Sequence, residues 1–193
     1  DSISDGVSQP GMRSLAQTID PPKPSPIAAL IEKMTNSIDA LLTKKCYEYG
    51  LEPSSNEAPN SMDEAIDKFY PENNWDLRDF RRNQSEELQI IADGNGPRTQ
   101  RSKQPTSVIV YDNGEGQRPE NFEDSFLSLL RGNKNNVRFV QGKYNMGGSG
   151  AIVFCGKKRY QLIASKRYTN DGNFGFTLIR EHPKKESDHA KET

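Results

Sequence analysis

The sequence predicts a mixed α/β fold, and three observations carry that prediction. Apolar residues recur at helical spacing from Ile27 onward; short β-rich runs stand at 107–110, 160–165 and 174–180; and glycine-rich segments lie between the two kinds of element. At 193 residues the chain fits one domain with a real core, without room for two large ones. Its hydrophobic fraction of 32% and mean hydropathy of −0.88 are low for a fully compact domain, so part of the chain is expected to lie outside the core. The expected places are 1–26, 52–105 and 183–193, all rich in Ser, Asn, Pro, Gly and charge.

Taken in order, Pro22, Pro24 and Pro26 punctuate an extended N-terminal segment, and Ser25 offers an N-cap with Pro26 at the first helical position. Ile31, Met34, Ile38, Leu41 and Leu42 then recur at spacings of three and four, which predicts a helix with one buried stripe. Glu32, Asn36 and Asp39 fall on a neighbouring stripe, one above another. Residues 60–80 suggest one or two short helices: Ser61 can cap, Met62, Ala65, Ile66 and Phe69 form a stripe, and Pro71 stops it. Trp75 and Phe80 are expected to pin this region to the body. Leu88, Ile90 and Ile91 make 86–92 apolar enough to pack as strand or helix, before a basic, turn-rich stretch at 93–104.

The strand at 107–110 runs into Tyr111-Asp112-Asn113-Gly114-Glu115-Gly116. Pro119 and Asn121 are expected to open a helix with the stripe Phe122, Phe126, Leu129 and Leu130, ending at Gly132. A polar loop, 133–141, leads to the glycine run 142–150, and 150–154 is expected to continue as a helix packing through Ile152 and Val153. Two strands, 160–165 and 174–180, joined by the turn Thr169-Asn170-Asp171-Gly172, complete the series.

Charge and cysteine content narrow the function classes. With 26 basic and 27 acidic residues the net charge is −1, so no global field draws the chain to nucleic acid or an anionic membrane, and DNA binding would need a local patch. Cys46 and Cys155 make neither a disulfide framework nor a zinc site and are expected as buried thiols. No segment approaches the ~18 consecutive apolar residues of a membrane span, and the N-terminus lacks a signal-peptide core, so a cytoplasmic address is expected.

Three constellations carry chemistry. On the first helix, an asparagine carbonyl at 36 could ligate Mg²⁺, and a glutamate at 32 could take a proton from water; alone, this spacing also suits a solvated helix face. The run from Asp112 has four readings. As a calcium loop it lacks oxygen donors at its third and fifth positions, where Gly114 and Gly116 stand, despite Glu123 at the twelfth. As a dinucleotide fingerprint it has Pro119 in place of the third glycine. A plain turn after a strand is the third, and the fourth is a carboxylate that accepts the exocyclic amine of adenine, with glycines that let the base lie against the backbone. The run 142–150 is not a Walker A loop, and as a serine-nucleophile elbow around Ser149 it has Ala151 in place of the last glycine. The two histidines, His182 and His189, lie in or beside the polar tail, which disfavours triad chemistry. Glycines that feed a helix N-terminus do offer N–H groups to phosphate oxygens.

In this order the three motifs resemble the GHKL superfamily of ATPases, which includes DNA gyrase B subunit, the ninety-kilodalton heat-shock chaperone, MutL, MORC proteins and histidine-kinase catalytic domains. Glu32-x-x-x-Asn36-Ser37-x-Asp39-Ala40 is similar to the family's N-box, Asp112-x-Gly114-x-Gly116 to its adenine motif, and 142–150 to its glycine-rich lid box. The resemblance implies a Bergerat-type two-layer sandwich over 27–183, with a mixed, mainly antiparallel sheet covered on one face by helices, an insertion at 47–106 with helices of its own, and a polar tail at 184–193. It implies ATP and Mg²⁺ as cofactors, Glu32 as the general base, Asn36 as the Mg²⁺ ligand and Asp112 as the adenine anchor. Nucleotide-binding roles pass likewise to Asp39, Gly114, Gly116, Lys143, Gly147, Gly148, Ser149 and Gly150, with 121–141 as the lid. The family's closing strand bears a Gly-Thr pair whose threonine supports the adenine aspartate; Gly175-Phe176-Thr177 matches it only approximately, so either Thr177 fills the role or that strand lies beyond Thr193 in a longer protein, the latter being favoured. The expected function is therefore ATP hydrolysis by the N-terminal part of a larger clamp or switch that dimerises with ATP, ahead of an ATP-sensing module without turnover. A kinase comes third, because that branch has asparagine or histidine where Glu32 stands.

Overall fold

The computed structural model describes residues 25–71, 82, 85–93, 107–127, 136–142, 151–156 and 159–180. They form a mixed fold of helices and antiparallel strand pairs: helix α1 (Pro26–Glu48), helix α2 (Met62–Phe69), and strands β1 (Leu88–Asp93), β2 (Ser107–Asp112), β3 (Tyr160–Lys166) and β4 (Phe174–Arg180).

Both ends of α1 follow from local chemistry. Ser25 is extended and its hydroxyl accepts the Ala28 N–H at 3.5 Å, with Pro26 in the first turn, as the sequence predicts. At the other end Gly50 takes φ +72°, and the N–H groups of Gly50 and Leu51 reach back to the carbonyls of Tyr47 and Cys46. This crossed pair closes the helix with a left-handed residue that only glycine adopts without strain.

The core sits at the C-terminal half of α1. Leu42 and Cys46 pack with Ala58, Ala65 and Phe69, and with Phe139 and Val140 from a segment far along the chain. The Phe69 and Phe139 rings meet edge to face with centroids 6.4 Å apart. Arg138 fastens this segment to the loop before α2, donating to the carbonyls of Ser55 at 2.7 Å and Ala58 at 3.3 Å. Helix α2 begins at Ser61, whose hydroxyl accepts the Glu64 N–H at 3.2 Å, while Glu64 in turn accepts from the Asn60 N–H at 2.9 Å. The expectation that 52–105 lies outside the core is thereby corrected for its first part, since Pro53, Ala58, Pro59, Ala65 and Phe69 are all buried. A polar composition misled there because few but well-placed apolar side chains close the core.

The stripe expected on α1 also shifts. Leu42 is buried, but Ile31 is 56% exposed and Ile27 70% exposed, while Ser37, Asp39, Thr43 and Cys46 are buried. Periodicity located the helix and, in Ile38 and Leu42, the part of its inward face that meets the core, but not the polar stripe that other segments cover.

The strands pair as two antiparallel hairpins. In one, Leu88 lies opposite Asp112 and Asp93 opposite Ser107; in the other, Tyr160 lies opposite Arg180 and Lys166 opposite Phe174. Residues 88–93, open between strand and helix in the sequence, are thus strand. Among the described residues these are two two-stranded sheets and not one continuous sheet. The chain turns away from β2 at Gly114 to Gly116, so the hairpins meet at their ends: the Tyr168 N–H donates to the Glu115 carbonyl at 2.9 Å, and the Gln117 N–H to Ser165 Oγ at 2.8 Å. On β3–β4 the outer face leaves Leu162, Phe174, Phe176 and Leu178 exposed.

Two expected helices take tighter or looser forms. From Pro119 the chain makes a 3₁₀ turn, Pro119–Asn121, and then a π-helical turn, Glu123–Leu127, in which the Phe122 and Phe126 rings meet at 5.1 Å. Pro119 and Phe122 pack there against Gly175 of β4, at a separation that leaves no space for a Cβ. Around Ile152–Phe154 there is one 3₁₀ turn, with Ile152 buried but Val153 exposed. Cys46 is buried as expected, whereas Cys155 is half-exposed. Trp75, Phe80, Leu129, Leu130 and Gly132 lie outside the described residues. Among those described, no helix is long and apolar enough to cross a membrane.

Leu42→Ala is expected to lower stability by about 2–5 kcal/mol, whereas Ile27→Ala on the exposed end of the same helix should stay within about 0.5 kcal/mol of the parent. Urea unfolding of both variants checks this, and equal losses would relocate the core.

Candidate functional site

Helix α1 carries two polar faces side by side. At 100° per residue, Ser37, Ala40 and Lys44 fall within one arc of about 60°, and Glu32, Asn36, Asp39 and Thr43 within an adjoining arc of about the same width. Each arc meets a different glycine-bearing segment.

The first arc faces the end of β2. Ser37 Oγ donates to Asp112 Oδ2 at 2.9 Å, and the Gly114 N–H donates to Asp112 Oδ1 at 3.1 Å. The Glu115 N–H donates to the Ala40 carbonyl at 3.0 Å, and Lys44 Nζ to the Asn113 carbonyl at 2.9 Å. Asp112 therefore ends its strand with its carboxylate held from two sides. A Cβ on Gly114 would lie 2.6 Å from Ala40 Cβ, so the missing side chain is what lets the turn reach the helix. Gly116 has φ +61°, and a Cβ there would overlap the Lys166 carbonyl oxygen. The glycines expected to shape a base pocket pack the turn between α1 and the β3–β4 hairpin.

That hairpin is locked to the turn by Arg167. Its Nη1 donates to Glu115 Oε2 at 2.8 Å and to the Gly116 carbonyl at 3.2 Å, and its guanidinium stands 5.3 Å from the Tyr47 ring centroid and 5.1 Å from that of Tyr168. Glu115 is 8% exposed, so its charge has this partner at close range.

The second arc faces the start of the glycine run. Asp39, with 0% exposure, accepts the Gln141 N–H on Oδ1 at 3.0 Å and the Gly142 N–H on Oδ2 at 2.7 Å. Asn36 Oδ1 lies against the bare Cα of Gly142, in space that a Cβ would need. Asp39 was expected among the nucleotide contacts; both of its oxygens accept backbone N–H groups of the protein's own chain. Glu32 stands one turn before Asn36, beside Lys33. Burial pushes the Lys33 ammonium below its ordinary pKa, against the upward pull of Glu32 and of Cys155.

Of the residues the sequence singled out, the fold brings Asn36, Asp39, Asp112 and Gly114 together around α1, with Glu32 on the same helix and Gly116 at the far side of the turn. Lys143, Gly147, Gly148, Ser149 and Gly150 lie outside the described residues, as does the middle of the expected lid, 128–135. Thr177 stands on β4 opposite Ile163. Sequence reasoning gave no separate task to Ser37, Ala40, Gly142 or Arg167. For Ser37 and Ala40 a signal existed: two small residues three apart on a helix mark a face that another backbone can approach closely.

The donors available to a metal are oxygens, from Asn36 and Glu32, the chemistry Mg²⁺ prefers. Among the described residues no three His, Cys, Asp or Glu side chains cluster as a metal cage. Such a donor set fits a magnesium ion that keeps most of its shell as water and phosphate. Compared with known proteins, the chain matches no family model, no curated protein and no solved structure.

Asp39→Ala should cost about 1.5–3 kcal/mol, the scale for a hydrogen bond to a charged group, and should speed amide exchange at Gln141 and Gly142. Hydrogen exchange read by NMR checks this, and unchanged protection at those two amides would show that the carboxylate does not hold the segment.

Proposed function

We propose that this chain is a Mg²⁺-dependent ATP-binding and ATP-hydrolysing domain of the GHKL type. The observation that carries it is that α1, which bears the first motif, meets Asp112 of the second and Gly142, the first residue of the third. Ser37 contacts Asp112 across 75 residues of chain, and Asp39 contacts Gly142 across 103. A single nucleotide site built from the three motifs requires such contacts between distant segments.

In this function Asp112 accepts the exocyclic amine of adenine, with its carboxylate already oriented by Ser37 and Gly114. Gly142 and the glycine run beyond it follow the phosphates, and Lys143, Gly147, Gly148, Ser149 and Gly150 are the candidates for contact. Asn36 would hold Mg²⁺, which when bound to the phosphates neutralises charge there. Glu32, one helical turn away, accepts the proton of the attacking water as general base. The finer fold follows as a Bergerat sandwich, with β1–β2 and β3–β4 as parts of one sheet layer joined through the Glu115 to Tyr168 contact. A cytoplasmic address accords with free thiols at Cys46 and Cys155. ATP-dependent pairing of two copies through further domains of a larger protein is part of the same proposal.

Glu32→Ala should lower turnover by ~10²–10⁴-fold with ATP affinity nearly intact, because removal of a general base touches the chemical step. Phosphate release under single-turnover conditions measures it, and an unchanged rate would remove Glu32 from the mechanism. No phosphate release from the parent, with ATP still bound, would favour a sensing module. Asp112→Asn should weaken nucleotide binding by about 1.5–3 kcal/mol. Titration calorimetry reads that loss, and parental affinity in the variant would discard the adenine contact.

A further inference from the structure

Alternation along β3 and β4 gives the second hairpin two unlike faces. The inner one carries Gly175, against which Pro119 and Phe122 pack. The outer one carries Tyr160, Leu162, Ala164 and Lys166 on β3, all exposed. From β4 it takes Phe174, Phe176, Leu178 and Arg180, exposed likewise. Leu162, Phe174, Phe176 and Leu178 are each at least 60% exposed, a contiguous apolar surface of the kind that marks a contact site. The strand register orders this face by size: Ala164 lies opposite Phe176, Leu162 opposite Leu178, Lys166 opposite Phe174 and Tyr160 opposite Arg180. Phe176 thus raises the middle of one row where Ala164 lowers the other. The two cations stand at diagonal corners, and the face holds no acidic residue.

We infer that this face pairs with the same face of a second copy of the chain, without nucleotide, through a two-fold axis that runs along the strands. Such an axis lays β4 of one copy over β3 of the other. Phe176 then enters the space above Ala164 of the second copy, and Leu178 meets Leu162. Each cation stands beside an aromatic ring, Lys166 by Phe174 and Arg180 by Tyr160. The Arg180 guanidinium already keeps such company within its own chain, 5.6 Å from the Tyr160 ring centroid. An axis across the strands would instead press Phe176 against Leu178 and leave Ala164 facing Leu162. Packed sheets stand about 10 Å apart with strands within about 30° of each other, an angle at which the central pairs stay in contact. The face is small, roughly 24 Å along the strands. Pairing would bury on the order of 1,000 Å² in total, near the lower limit of a specific interface, so the association depends on concentration. It uses no residue of the ATP site and is separate from the ATP-dependent pairing proposed above.

The test is sedimentation velocity of the full chain over about 1–500 μM, without nucleotide and with Mg·ATP. It compares the parent, Phe176→Ala, Ala164→Phe and the double variant that carries both substitutions. Both positions are exposed in the single chain, and far-UV circular dichroism checks that the strands persist. The parent should rise with concentration from the mass of one chain to that of two. Phe176→Ala should weaken association at least about tenfold, the scale for an aromatic anchor. Ala164→Phe adds apolar surface and should still weaken it, because two large side chains then meet. The double variant exchanges the large and small rows and should regain most of the parental association. A merely adhesive face predicts tighter association for Ala164→Phe, so that result overturns the inference. A double variant no better than the single ones overturns it as well, and so does pairing that no variant weakens, which would place the contact elsewhere. A parent that stays monomeric throughout leaves the face to a different partner, and one that pairs only with Mg·ATP assigns the dimer to the nucleotide; either result ends the proposal.

Discussion

A carboxylate with no solvent must be satisfied from within the protein, and Asp39 is such a group. Its two oxygens take consecutive backbone N–H groups, from Gln141 and Gly142, and so bind the middle of the chain to its first helix. The rest follows from that tie. With residues 141 and 142 fixed, the preceding segment lays Phe139 and Val140 against Leu42 and Cys46, and Arg138 reaches the loop before α2. The hydrophobic core and the candidate site thus share one helix and one returning segment.

The same helix sets the distance between the ends of the site. Asp112 meets Ser37, and Gly142 meets Asn36 and Asp39, within about one turn of each other along α1. Both contacts demand close approach. Backbone comes against helix at Gly114 and Gly142, and a side chain at either would press the segments apart. Arg167, beside the stacked rings of Tyr47 and Tyr168 and bonded to Glu115, extends the constraint to the second hairpin.

Much of this was legible in the sequence. Ser25 and Pro26 announced the start of α1, Ser61 that of α2, and the β-rich runs gave three of the four strands. The three motifs were visible as types and spacings. Their burial was not. Hydropathy placed the inward stripe of α1 on its apolar residues, yet Ile27 and Ile31 face solvent while Ser37, Asp39 and Thr43 are covered. A helix covered along its polar face is recognisable only from what covers it, and those partners lie dozens of residues away. The stretch before α2 read as loose because its apolar residues are few, although Ala58, Pro59 and Phe69 are among the best-buried side chains. The turn from Pro119 read as an ordinary helix because the sequence does not reveal that Gly175 admits Pro119 and Phe122 so closely.

The hairpins complete a gradient in how firmly the molecule is held. Each is a pair of strands joined to the helix chiefly at one end, and β3–β4 turns Leu162, Phe174, Phe176 and Leu178 outward. Two strands alone are marginal in water, and side chains left in solvent add no burial to steady them. Warming should accordingly peel the far ends of the hairpins first, while the half of α1 beyond Ser37, fastened on three sides, melts last.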